Sequence, residues 1–269
     1  MVDEAGPFPL KLDGLARSLH MWVHEAADQH ISRDIREQGC WEAFETQLVL
    51  RYLRPGDCFF DVGANIGYYS VLAAAAVGPA GKVFAFEPEP RNFELLQKNL
   101  ELNQLAAWVE AAPLALSSST GQAELSLHPD NLGDHQLFGR QPGQALIQVE
   151  MVCGEDYFAD KAVLPQMVKI DTQGAEQAVV QGLLPLLLAA GRELRMIVEL
   201  TPLSLRQAGS SGAELVELLT TLELPLAIID HIEHRLCPVT ASELKQWCKN
   251  VDGYPEDAGF MNIFVGSTV

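Results

Sequence analysis

Positive charge is scarce in this chain: 18 lysines and arginines stand against 36 aspartates and glutamates, a formal net charge of −18 over 269 residues. Sequence-independent binding of nucleic acid or anionic lipid rests on basic patches. The sequence has no Lys/Arg cluster, which disfavours polyanions as partners. Long apolar runs are missing too. The longest candidate, LLPLLLAAG after Gly182, carries Pro185 and falls short of the ~18 residues that a membrane span needs. The start, MVDEAGPFPLKLDG, lacks the basic region and apolar stretch of a secretory leader. Paired cysteines are absent: the five, at 40, 58, 153, 237 and 248, form no C-x-x-C and are odd in number. That pattern reads as reduced core thiols in a cytoplasmic protein.

What is present is a globular composition, 48% hydrophobic and 20% charged, with apolar runs alternating with helical stripes. In WEAFETQLVLRYLRPGD, Phe44, Leu48 and Tyr52 recur at i, i+4 and i+8, and Arg54-Pro55-Gly56-Asp57 stops the helix. CFFDV reads as a strand and Tyr68 to Val77 as the helix after it, ended by Gly78-Pro79. KVFAFEP and PRNFELLQKNLELN repeat the unit. AAWVEAAPLAL, QMVKID, LRMIVEL, LPLAIID and GFMNIFVG supply further strands. GQAELSLH and ALIQVEMV, separated by the polar stretch 129–144, alternate in the manner of an added antiparallel pair. Within residues 1–40, LARSLHMWVHEAA reads as an amphipathic helix. The pattern predicts a doubly wound α/β fold with a mostly parallel sheet and helices on both faces. No linker is visible, so the expectation is one domain over 1–269. Residues 1–40 would be an extension, 41–200 a cofactor-binding core and 201–269 the C-terminal part of the sheet.

The loop between the first strand and its helix carries the chemistry. A dinucleotide site needs G-x-G-x-x-G so that the backbone approaches a pyrophosphate. Here the run is D-x-G-x-N-x-G, with Asp61, Gly63, Asn65 and Gly67. A cofactor without phosphate needs no anion cradle, only room for backbone contacts and acceptors for an amine. S-adenosylmethionine fits that description. Glu87, at the end of FAFEP and 20 residues beyond Gly67, can accept both ribose hydroxyls.

DVGANIGYYS, FAFEPEPRNFELLQKNLELN and KIDTQGAE together resemble the FkbM-type S-adenosylmethionine-dependent methyltransferases, over about residues 41–200. The resemblance implies a class I methyltransferase fold, with a seven-stranded sheet whose last strand is antiparallel. It also implies transfer of a methyl group to a hydroxyl on a natural product or sugar. Carried over by position, Gly63, Asn65 and Gly67 line the methionine part, flanked by Asp61 and Tyr68. Glu87 takes the ribose, next to Pro88, and Asp171 floors the site near the transferred methyl. Asn103 also matches, although it equally suits a helix C-cap. Gln173 stands where the family usually has an acid.

An alcohol acceptor must lose its proton, so a general base helps. In doubly wound folds it would sit at the carboxyl ends of the strands, where Asp171 and Glu199 are candidates. His135 in HPDNLGDHQLF is a third, with Asp134 as a possible orienting partner. No ligand pattern demands a metal; His231 and His234 have a zinc-like spacing but no matching pair, and read as solvated. The rival readings are a nicotinamide oxidoreductase, whose phosphate loop is lacking, a nucleic-acid amino-methyltransferase, which this acidity disfavours, and a non-catalytic binding module. Acceptor identity and oligomeric state have no signature.

Overall fold

The computed structural model describes residues 4–25, 28, 30–128, 135–137, 145–254 and 259–268. In chain order the strands are β1 (Glu4–Pro9), β2 (His20–His24), β3 (Cys58–Val62), β4 (Lys82–Phe86), β5 (Val109–Ala112), β6 (Ala115–Ser117), β7 (Gly121–Leu127), β8 (Ala145–Cys153), β9 (Met167–Ile170), β10 (Arg195–Leu200), β11 (Leu226–Asp230), β12 (Arg235–Val239) and β13 (Met261–Val265). The helices are α1 (Ile31–Gln38), α2 (Ala43–Tyr52), α3 (Tyr68–Val77), α4 (Pro90–Leu102), α5 (Gly154–Phe158), α6 (Glu176–Ala190), α7 (Pro202–Gln207), α8 (Gly212–Thr220) and α9 (Ala241–Asp252).

Eight strands form the main sheet in the order β12-β11-β13-β10-β9-β3-β4-β5. From β10 to β5 the pairing is parallel. β13 inserts antiparallel between β10 and β11, so β11 runs the same way as β10. The central strands are buried on both faces, which is why they read as unbroken apolar runs. Side-chain alternation splits them between two cores. Phe59, Val83, Ala85 and Ile197 pack under α2, α3 and α4, whereas Phe60, Phe84, Val168 and Val198 pack against the α5–α9 face. The sheet is therefore Rossmann-like, as the alternation of strands and helices predicts.

Three local expectations need correction. The sheet has an eighth strand, β12, paired antiparallel with β11 at the edge; Pro238 hides it in the sequence, yet an edge strand tolerates the missing N–H. AAWVEAAPLAL divides into β5 of the main sheet and β6, which joins β8 and β7 in a three-stranded satellite rather than a simple pair. The described residues of LARSLHMWVHEAA, 15–25, contain no helix: His20–His24 is β2, antiparallel to β1.

A row of asparagines explains that last outcome. Asn92, Asn99 and Asn103 lie seven and four apart, on one face of α4 and at its C-cap. Alternate residues of β2 meet them in reverse order. The Asn103 side chain accepts from the His20 N–H at 2.9 Å and donates to the His20 carbonyl at 2.7 Å. Asn99 does the same for Trp22, at 2.7 and 2.9 Å, and His24 reaches Asn92 at 2.8 Å. The intervening Met21 and Val23 are buried. Period-two contacts of this kind favour a strand over a helix.

Candidate active site

A cleft opens at the carboxyl ends of β3, β4 and β9, counting about 520 Å³ of empty space with its mouth. One wall is the loop after β3 with Gly63 and Asn65. Glu87 and Pro88 follow β4, and Asp171, Thr172 and Gln173 follow β9. Leu114, Leu116, Leu125 and Leu137 make an apolar side beyond Glu87. Gly63 is required by a close approach: its φ is +83° and a Cβ there would stand 1.8 Å from the Asp171 carbonyl oxygen. The two loops thus touch through backbone alone, and the floor of the cleft stays thin.

Glu87 is nearly buried. Its carboxylate accepts from the Asn65 N–H at 2.8 Å and the Glu89 N–H at 2.9 Å. Burial nevertheless pushes its pKa up to about 8, with the charges of Glu89 and Asp61 adding to the rise. Asp61 is likewise pushed up by burial, to about 6. A carboxyl whose folded pKa is raised keeps more protons folded than unfolded, so stability is full below the unfolded value and falls as pH rises through the folded one. Asp61 and Glu87 should therefore each contribute a decline in the melting temperature of the ligand-free protein that begins at their unfolded values and extends to about pH 6 for Asp61 and about pH 8 for Glu87. Glu87→Gln should flatten the upper part of that decline, between about pH 6 and 8, in a thermal-shift series; an unchanged slope would remove Glu87 as its source.

A charged network continues from Asp171 toward β10 and α2. Asp171 accepts from Lys169 Nζ at 2.8 Å and from Gln173 Nε2 at 2.9 Å. The same Gln173 nitrogen donates to Glu199 at 2.8 Å. Lys169 lies 3.8 Å from Glu42, which also accepts from the Tyr69 hydroxyl at 2.7 Å. Burial and then the Asp171 charge hold the Glu199 carboxyl well above its usual range. Burial opposes the Lys169 ammonium, but Asp171 and Glu42 outweigh it and raise its pKa. Farther out, Glu45 is fully buried and accepts from His231 Nδ1 and Asn262 Nδ2, both at 2.9 Å. Of six non-glycine residues with left-handed φ among those described, three border this network and the cleft: Glu42 (43°), Asn65 (50°) and Gln173 (53°). Strained backbone of this kind collects where a fold holds functional groups.

Of the residues singled out in the sequence, Gly63, Asn65, Glu87, Pro88, His135 and Asp171 line the cleft, and Glu199 adjoins it through Gln173. Three cofactor candidates stand behind it instead. Asp61 accepts from the Ser70 hydroxyl at 2.6 Å, bracing α3 against β3. The Tyr68 hydroxyl meets Thr46 at 3.0 Å, and Gly67 supplies the left-handed turn into α3 under Leu96. Asn103 is not among the residues that line the cleft, and its amide is spent on β2.

His135 lines the cleft, but one of its ring nitrogens is already engaged. Its Nδ1 accepts from the His128 N–H at 3.1 Å, and burial pulls its pKa down to about 4. Such an imidazole is neutral with its proton on Nε2, a donor rather than a proton acceptor. Asp134 lies outside the described residues. His231 and His234 sit in a turn rather than a strand: His231 pairs with Glu45, and the His234 ring stacks on Phe44 at 5.6 Å. Lys169, Glu42, Glu45 and Tyr69 escaped the sequence reading. Only Lys169 had a visible signal, a lone charge inside an apolar strand, which must find partners.

The family model for the methyltransferase FkbM domain matches residues 61–224. Similar sequences include 31-O-demethyl-FK506 methyltransferase FkbM of Streptomyces tacrolimicus, 39% identical over 121 residues, which cover 45% of this chain and 43% of that protein. Hexuronic acid methyltransferase AglP of Haloferax volcanii is 26% identical over 141 residues, 51% of this chain and 54% of that protein. Among solved structures, a methyltransferase FkbM from Methylobacillus flagellatus KT shares 12% identity at a TM-score of 0.48, covering 82% of this chain and 50% of that one. The chain spans about half the length of these curated relatives.

Proposed function

Because the chain belongs to the FkbM-type methyltransferase family, we propose that it moves a methyl group from S-adenosylmethionine to a hydroxyl oxygen of a sugar, glycan or other natural-product acceptor. The observation that carries this reading is the cleft, in which the phosphate-free glycine loop and Glu87 face Asp171 across one cavity. The residues fit the cofactor. The loop offers backbone instead of an anion cradle, the leucine side suits adenine, and the buried Glu87 suits two hydroxyl donors that would favour its charged form. A nicotinamide oxidoreductase would need the G-x-G-x-x-G that this loop lacks.

When bound, the sulfonium supplies an electrophilic methyl carbon. The chain's own contribution is alignment and a place for a proton. Gly63 and Asn65 fix one wall, and Gln173 and Lys169 hold the Asp171 carboxylate at the other. Positioning of the acceptor oxygen lowers the barrier by removing orientational freedom. Asp171 takes the hydroxyl proton as the oxygen attacks, a role favoured over His135 because the bond from the His128 N–H leaves that imidazole with its proton on Nε2.

The acceptor class is supported by the relatives named for 31-O-demethyl-FK506 and for a hexuronic acid. Calorimetry should detect S-adenosylmethionine and its demethylated product, and should not detect NAD. Incubation of deuteromethyl-labelled cofactor with 31-O-demethyl-FK506 and with hexuronic-acid oligosaccharides should yield a labelled methyl ether. Tight NAD binding would overturn the cofactor, and label found only as a methyl ester or on nitrogen would overturn the hydroxyl.

A further inference from the structure

Carboxyls outnumber ammonium groups beside the cleft. Glu199 on β10 is faced by Lys169 of β9, by Asp171 in the loop after it, by Glu176 of α6 and by Glu42 at the start of α2. From β3, Asp61 stands opposite Lys169 and is bonded to Ser70. On the other flank β13 sets Asn262 opposite Glu199. That amide donates to Glu45, which His231 pairs from the turn after β11. Glu176 is satisfied locally, since it accepts from the N–H groups of Thr172 and Gly174 and from the Thr172 hydroxyl. Lys169 serves Asp171 at 2.8 Å and Glu42 at 3.8 Å. Among the described residues Glu199 forms no ion pair, and one amide nitrogen, Gln173 Nε2, joins it to Asp171 at 2.8 and 2.9 Å.

Carboxyls packed this closely around one cation do not all ionise together. Burial, and then the Asp171 charge, place the retained proton on Glu199. S-adenosylmethionine brings a sulfonium charge to such a site, whereas S-adenosylhomocysteine brings none. A second cation beside Asp171 favours the ionised form of the neighbouring carboxyls.

We propose that Asp171 and Glu199, joined by Gln173, form one charge-sensing unit, which holds a proton when the cleft is empty or carries the demethylated product and gives it to solvent when the sulfonium arrives. The inference rests on the S-adenosylmethionine reading above. Charges and atoms balance over a cycle. Glu199 loses one proton as the cofactor binds. During transfer the acceptor oxygen bonds to the methyl carbon, and the carbon–sulfur bond breaks with its electron pair on sulfur. Asp171 takes the hydroxyl proton. The unit then holds one proton again, beside a neutral thioether. Glu199 is thus a further residue of the reaction that acts beside Asp171, not by touching the acceptor. Such a unit favours the charged cofactor over its spent form, and does so more strongly as pH rises.

The test needs no acceptor. Calorimetry on the full chain, in buffers of different ionisation enthalpy, counts the protons released with each ligand. Near pH ~7, S-adenosylmethionine should release about 0.5–1 proton more than S-adenosylhomocysteine. Between about pH 5.5 and 7.5 the ratio of their affinities should rise by up to about tenfold per pH unit. Glu87 meets the same ribose in both ligands, so its contribution cancels. Glu199→Gln keeps an oxygen for Gln173 and removes the titrating group. Both the proton difference and the pH slope of the ratio should vanish in it, whereas ionisation of the ligands themselves would survive. Glu42→Gln should keep most of the difference. Equal proton counts for the two ligands in wild type would overturn this inference alone. So would a difference that persists in folded Glu199→Gln, or one lost in Glu42→Gln instead. If Glu199→Gln does not fold, infrared difference spectra of wild type decide. A protonated-carboxyl band should disappear with S-adenosylmethionine and remain with S-adenosylhomocysteine; a band unchanged by both would overturn the proposal. Failure of wild type to bind either ligand would overturn the cofactor reading, and this inference with it.

Discussion

Asp171→Asn keeps the fold and binds S-adenosylmethionine within a few-fold of wild type, but loses roughly 10²–10⁴ in turnover, the usual contribution of a proton-transfer group. Asparagine has the same shape and retains one oxygen for Lys169 at the 2.8 Å contact, while its NH2 replaces the oxygen that accepts from Gln173. What disappears is the charge and the capacity to take a proton. Asp is also a common helix cap, and a cap at 171 would make the variant lose stability rather than rate. The structure removes that alternative. Helix α6 starts at Glu176 after Ala175, with no side-chain cap. The N–H groups of Thr172 and Gly174 instead donate to the carboxylate of Glu176 itself, at 2.8 and 2.9 Å. No cap is lost, so any fall in stability should come from the Lys169 ion pair and the Gln173 bond alone. Melting temperature, cofactor affinity and single-turnover rate on one preparation decide the matter; equal falls in kcat and kcat/KM mark a contact made in the transition state. An Asp171→Asn enzyme with near-normal turnover would transfer the proton-accepting role to Glu199 or to Glu42.

Gly63→Ala has a larger effect still, and on a different quantity. A methyl at Gly63 would lie 1.8 Å from the Asp171 carbonyl oxygen and 2.8 Å from its carbon, both backbone atoms that cannot swing aside. Left-handed strain alone costs about 1–3 kcal/mol, and separating the two loops adds to it. The variant should lose cofactor binding outright and melt well below wild type. Gly56→Ala is the matched control: its φ is also left-handed, at +95°, but nothing lies within 4 Å of the added carbon. It should show only the conformational cost, about 1 kcal/mol. If both variants melted alike with binding intact, the crowding at Gly63 would be relieved by movement, and the thin floor would not be needed.

The legible parts of the fold are those where local pattern and burial agree. CFFDV and the helix from Tyr68 to Val77 emerge with the bounds read from the sequence, because both are apolar apart from Asp61 and Ser70 and are punctuated by glycine. Strand β2 was illegible for the opposite reason. Its short apolar run fits either period, and the deciding contacts come from asparagines some 70 to 80 residues away. The cleft could be read as far as single loops carry it: Gly63, Asn65, Glu87 and Asp171 each follow a strand at a recognisable spacing. The network beside it could not, since residues 42, 45, 69, 169, 199, 231 and 262 share no spacing at all. His135 shows a third limit. Its place at the cleft was legible, whereas the proton on its ring is set by one backbone N–H of His128.

The left-handed residues Glu42, Asn65 and Gln173 bear on how this protein would respond to engineering. Each holds a conformation that glycine adopts without penalty, so each glycine replacement offers a gain of up to about 1 kcal/mol in thermal resistance. Each side chain also holds something in place. Glu42 faces Lys169, the Asn65 oxygen accepts from the Ile66 N–H at 2.7 Å, and Gln173 bridges Asp171 and Glu199. A library sorted by melting temperature alone would therefore drift toward glycine at these three positions and return robust, inert proteins. Sorting for retained product formation would keep the strained residues, and with them a lower ceiling on heat tolerance.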